Sequence, residues 1–65
     1  MTGPRVAALR KELGVSQSAF AAFLNVSVQT VQTWEQGRAP VQGIALRTLV
    51  WMREDVAYFR AKLAG

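Results

Sequence analysis

Two glutamines on one face of a short helix are the residues of this sequence best placed to do chemistry. In Ser27-Val28-Gln29-Thr30-Val31-Gln32-Thr33-Trp34-Glu35-Gln36-Gly37, a hydroxyl residue suited to an N-cap precedes just over two helical turns, and a glycine suited to a helix C-terminus follows them. Val31 and Trp34 share one face, whereas Val28, Gln29, Gln32 and Thr33 point elsewhere. That second face carries two primary amides, a hydroxyl and a small apolar group, and no charge. A glutamine amide offers an acceptor and a donor together, which matches adenine N6 and N7, and a valine can pack on a thymine methyl. An α-helix fits the major groove of B-DNA with its N-terminal half closest to the bases. Glutamines on a solvated helix are also ordinary, so the elements around this helix decide between the two readings.

Those elements are legible from spacing. Gly3-Pro4 opens a first helix, Val6, Leu9 and Leu13 give it one apolar face, and Gly14 ends it in a left-handed cap. Ser16 caps a second helix over Gln17 to Leu24, with Phe20, Ala21 and Leu24 inward and Ala21 small where a neighbouring helix must approach. Phe23 lies off that stripe, either meeting a later helix or left exposed. Asn25, tolerant of positive φ, turns the chain into Ser27, the short spacing of a helix-turn-helix. After Gly37 a loop leads to a fourth helix from near Val41 to Met52, apolar over a wide arc that includes Ile44, Ala45, Leu49 and Met52. Gly43 within it allows a close contact. Asp55 caps a fifth helix with a stripe of Val56, Phe59 and Leu63. The expected fold is all-α: a compact bundle of five short helices in one domain, 1–65, with the recognition helix at about 27–36.

Composition narrows the chemistry. The chain has 65 residues, no cysteine and no histidine, so neither a disulfide framework nor a metal site with nitrogen and sulfur ligands is expected. Glu54 and Asp55 form the one close acid pair, but adjacent helical residues diverge, so an enzyme and a cofactor are not expected. A hydrophobic content of 51% argues against disorder and is generous for so small a monomer, which points to surface buried in an oligomer. The net charge of +4 suits a polyanionic partner. No apolar run spans a bilayer and no signal sequence opens the chain, so a cytoplasmic location is expected.

Leu13-Gly14-Val15-Ser16-Gln17, with Phe20-Ala21, Leu24, Val26-Ser27, Thr30-Val31, Trp34-Glu35, Gly37, Pro40 and Gly43, resembles the XRE-type helix-turn-helix family, the class of the lambdoid phage repressors and Cro. The likeness runs over about residues 5–52. Trp34-Glu35-Gln36-Gly37 with Pro40, Gly43 and Ala45-Leu46 is similar to antitoxin-side regulators of the HigA and MqsA type. The resemblance implies a lambda repressor-like DNA-binding domain from a prokaryote or phage, nucleoid-associated, with residues 27–36 as its recognition helix. It further implies that Gln17 meets a DNA phosphate and that Arg10 pairs with Glu35.

The residues themselves add to this. Val28, Gln29, Gln32 and Thr33 are the expected base contacts, with Thr30 and Gln36 toward the backbone. The helix contains no Lys or Arg, so phosphate attraction falls to Arg38 and to the N–H groups opening helices two and three; Arg5 and Lys11 are either further contacts or ordinary surface charges. Arg10 is assigned to structure, because Glu35 is the only acid between Glu12 and Glu54. Trp34 is expected in the core rather than stacked on bases. One short helix reads too few base pairs to select a genomic site, so a homodimer on a palindromic operator is expected, with Ile44, Trp51, Tyr58 and Phe59 as the dimer surface. The leading expectation is a repressor of transcription; the alternative is an antitoxin that also holds a cognate toxin.

Overall fold

A computed structural model describes residues 1–64; Gly65, the last residue of the expected domain, lies outside them. Five helices and no strand form among the described residues: α1 (Gly3–Leu13), α2 (Gln17–Leu24), α3 (Val28–Glu35), α4 (Gly43–Glu54) and α5 (Val56–Ala64). The two helices of the helix-turn-helix begin alike. The Ser16 hydroxyl accepts from the Ala19 amide at 3.1 Å and the Ser27 hydroxyl from the Thr30 amide at 3.0 Å. Each satisfies one of the amide groups left open at a helix start. Val15 and Val26, just before the caps, pack on the core that Phe20 and Val31 enter five positions later, the arrangement of a hydrophobic staple. Helices α1 and α2 end on the left-handed residues Gly14 and Asn25, and Gly37 follows α3 with φ 74°.

Each helix contributes its apolar stripe to one core. Val6, Leu9 and Leu13 of α1 meet Phe20 and Ala21 of α2, Val31 and Trp34 of α3, Leu49 and Met52 of α4, and Phe59 of α5. Helix α1 runs against α3, α4 and α5, so it is the element on which the helix-turn-helix is mounted. The closest approach is at its first residue. A Cβ on Gly3 would lie 2.6 Å from the Glu35 carbonyl oxygen and 2.8 Å from that of Trp34, so only glycine lets the start of α1 abut the end of α3.

The fourth helix departs from expectation. It starts at Gly43 rather than near Val41, and Val41 is buried from within the preceding loop. Burial of an apolar side chain does not require helical backbone, so the pattern extended the helix two residues too far. Gly43 is needed for its backbone, at φ 62°, and not for closeness, since nothing lies within 4 Å of the place where its Cβ would be. Ile44 does not line the core; it is 83% exposed.

Replacing Gly3 by alanine therefore forces backbone against backbone. The expected cost is about 1–3 kcal/mol, read as a fall in the thermal midpoint followed by circular dichroism. An unchanged midpoint would mean that the α1–α3 junction yields freely.

Candidate nucleic-acid interface

Helix α3 spans about 12 Å at 1.5 Å per residue, a length the major groove accommodates. At about 100° per residue its side chains sort into a core face, a front and two flanks. Val31 and Trp34 face the core. Gln29, Gln32 and Gln36 are exposed in front, with Thr33 half-buried beside them. Glu35 falls on the flank toward α1 and α2, and Thr30 on the opposite flank.

Glu35 organises the first flank. Arg10 reaches it from α1 in a fork, Nε donating to Oε2 at 2.6 Å and Nη2 to Oε1 at 3.2 Å, while Nη1 donates to the Val15 carbonyl at 3.0 Å. The side chains of both partners are largely buried, at 14% and 10% exposure. The guanidinium's hydrogen bonds and charge, with help from the Gln17 amide, hold the Glu35 carboxyl below its ordinary value of 4.5 against the opposing effect of burial. The same hydrogen bonds raise Arg10, so both groups stay charged.

Gln17 has a more specific place than a phosphate contact alone. Its Nε2 donates to Glu35 Oε1 at 3.1 Å, and its Oε1 accepts from Gln32 Nε2 at 3.3 Å. A carboxylate only accepts, so Glu35 dictates which end of the Gln17 amide faces it. The carbonyl end is then left for Gln32, which must donate. Gln32 thereby keeps its own carbonyl and one N–H for an outside partner. The signal in the sequence was the pair of amides itself; its geometry depended on how α2 sits on α3.

The remaining candidates are distributed as follows. Gln29 is exposed and its amide is held by no other side chain among the described residues, which leaves both of its polar atoms open. The Thr33 hydroxyl donates to the Gln29 carbonyl at 2.8 Å, so outward it can only accept. Val28 is half-buried and packs partly on the core. Thr30 is half-buried, its hydroxyl 2.8 Å from that of Ser27. Gln36 and Arg38 are exposed just past the helix.

The residues assigned to a dimer divide. Ile44, Trp51 and Tyr58 are exposed, but Phe59 is only 4% exposed and belongs to the core. The rings of Phe23, Trp51 and Tyr58 all meet Phe59 edge to face, at centroid distances of 6.2, 4.9 and 5.1 Å, and cover it. Phe59 supports that surface from below and is corrected from an interface residue to a core residue. Phe23, left open between two roles by its position, does both: it covers Phe59 and remains exposed. Among the described residues no group of acids, histidines or cysteines could hold a metal ion, and no helix is long and apolar enough to cross a membrane.

The depressed Glu35 value carries a sign for stability. A carboxyl bound more tightly as its anion in the folded state stabilises above its unfolded value, and that stability is lost as pH falls through the lower folded value. Unfolding free energy should therefore drop on acidification below about 4.5, and the Glu35→Gln variant should show a shallower drop in urea titrations across that range. Equal pH slopes in the two proteins would show that the pair is not held as drawn. Near neutral pH, Arg10→Met alone should cost about 3 kcal/mol by leaving Glu35 uncompensated, and Arg10→Met with Glu35→Leu should recover part of it.

A helix-turn-helix family model matches residues 6–49, more than half of the chain, and takes in α1 from Val6 onward, both helices around the Asn25 turn and the first half of α4. Neither the curated proteins nor the solved structures give a significant match. The matched span contains the capped α2–turn–α3 unit, its Arg10–Glu35 anchor and the uncharged face of α3. The chain belongs to the XRE-type helix-turn-helix family of DNA-binding regulators.

Proposed function

We propose that this protein is a repressor that places α3 in the major groove of an inverted-repeat operator and binds there as a homodimer. The observation that carries the reading is the front of α3. The unengaged amide of Gln29 stands beside Gln32, whose orientation is fixed by Gln17 and Glu35. An amide with both polar atoms open suits adenine, and a glutamine fixed by its neighbours discriminates better than one free to rotate. Val28, Gln29, Gln32 and Thr33 meet base edges in this reading. Gln17, through its second amide N–H, and Thr30, Gln36 and Arg38 meet the backbone. Occupying an operator blocks transcription without further chemistry, which suits a domain this small.

A homodimer follows from energetics. One short helix reads about four base pairs, each correct contact worth about 1–3 kcal/mol, which does not single out a site in a genome. A twofold pair doubles the contacts and sets two half-sites about one DNA turn apart. The exposed Ile44, Trp51 and Tyr58 on α4 and α5 support this, since apolar side chains on a small domain gain from mutual burial. A second reading, an antitoxin that also grips a toxin, is favoured by Phe23, which extends the apolar surface onto α2 beyond the α4–α5 residues given to the dimer. Copurification with a stoichiometric small protein would select it.

Gln29→Ala should weaken operator binding by about 1–3 kcal/mol and relax preference at one position, whereas Arg38→Ala should weaken all sequences alike and lower the salt slope by about one. Selection from random duplexes followed by titration measures both. If neither variant changes affinity, α3 is not the reading helix. Sedimentation should give a dimer on DNA; a monomer at high concentration and on the duplex would remove the dimer.

A further inference from the structure

On the flank of α3 opposite Glu35 lies an open hollow of about 370 Å³, lined by Ser27, Gln29, Thr30, Thr33, Trp34 and Ala39. Trp34 is 7% exposed, its ring part of the core. Its indole N–H has no hydrogen-bond partner among the described residues, yet no fully buried side-chain nitrogen or oxygen among them lacks one. The N–H therefore reaches the surface, and Trp34 is one of the residues that line the hollow. An indole nitrogen donates and never accepts.

Of the other groups around the hollow, Ser27 and Thr30 together offer a donor, Gln29 offers a donor and an acceptor, and Thr33 offers only an acceptor. The Ser27 and Thr30 hydroxyls share one hydrogen across 2.8 Å, which leaves the second hydrogen free. The Gln29 amide is open. No carboxylate lines the hollow. Ser27, Gln29 and Thr30 stand at the cap and first turn of the eight-residue α3, and their donor hydrogens together with the Trp34 N–H suit an anion.

We propose that this hollow seats a phosphate of the DNA backbone and that Trp34 donates its indole N–H to it. The inference rests on the reading that α3 enters the major groove; in that position base edges lie ahead of the helix and the sugar-phosphate chains along its flanks. Trp34 then joins the core to the DNA: the ring fixes α3 against α1, and the N–H fixes the register of the duplex along α3. A neutral donor adds affinity without displacing a counterion, so its signature differs from that of an arginine.

The test uses the whole chain and a random-sequence duplex at low salt. Trp34→Phe removes the N–H while keeping an aromatic ring in the core. It should lower affinity about tenfold on random and selected duplexes alike and leave the salt slope unchanged. In the unaltered protein, duplex addition should move the Trp34 indole N–H resonance strongly and slow its exchange with solvent, with Trp51 on α4 as the reference. A Trp34 resonance that stays in place while Gln29→Ala and Arg38→Ala weaken binding overturns the seat alone, as does a folded Trp34→Phe protein of full affinity. Binding that neither Gln29→Ala nor Arg38→Ala weakens overturns the placement of α3, and the seat with it.

Discussion

The fork between Arg10 and Glu35 is the contact on which the rest of the molecule turns. The apolar core gathers the helices but says little about how each is rotated, because burial of hydrocarbon is not directional. The guanidinium is directional. It joins α1 to the carboxylate of α3 and, through its third nitrogen, to the Val15 carbonyl in the link between α1 and α2. The carboxylate in turn holds Gln17 at the start of α2. One ion pair thus fixes the mutual rotation of the three helices of the DNA-binding unit. Desolvating both charges costs several kcal/mol each, a cost that buried ion pairs offset only with further hydrogen bonds, and Val15 and Gln17 supply those here.

Close packing completes the placement. Gly3 lets the first turn of α1 lie against the last carbonyls of α3, where the positive end of one helix dipole faces the negative end of the other. Trp34 fills the space alongside. At the far side of the core, Phe59 is enclosed by three aromatic edges, a geometry aromatic pairs favour over flat stacking. The cover over Phe59 is itself exposed, so the molecule presents a polar face at α3 and an apolar one at α4 and α5.

Affinity and specificity are carried by different groups. The front of α3 holds amides and hydroxyls and no charge, which suits discrimination between bases and contributes little long-range attraction. Cations sit off that face, as at Arg38. The amide order set by Glu35 passes through Gln17 to Gln32, so a structural carboxylate reaches the reading surface without touching DNA.

The sequence by itself determined the local punctuation: the serine caps, the left-handed Gly14 and Asn25, the bounds of α2, and the core faces of α1 and α3. These depend on interactions within one or two turns, which residue type and spacing encode directly. The Arg10–Glu35 partnership was also legible, through the family resemblance and because Glu35 is the only acid between Glu12 and Glu54. The tertiary structure alone decided that Gly3 rather than Gly43 permits a close approach, that Val41 is buried from a loop, and that Phe59 lies beneath Trp51 and Tyr58 instead of beside them. It alone set the direction of the Gln17 and Gln32 amides and brought the Trp34 N–H to a surface. Each of these depends on the distance and rotation between helices that are remote in sequence, and a helical stripe fixes which residues turn inward without fixing what they meet.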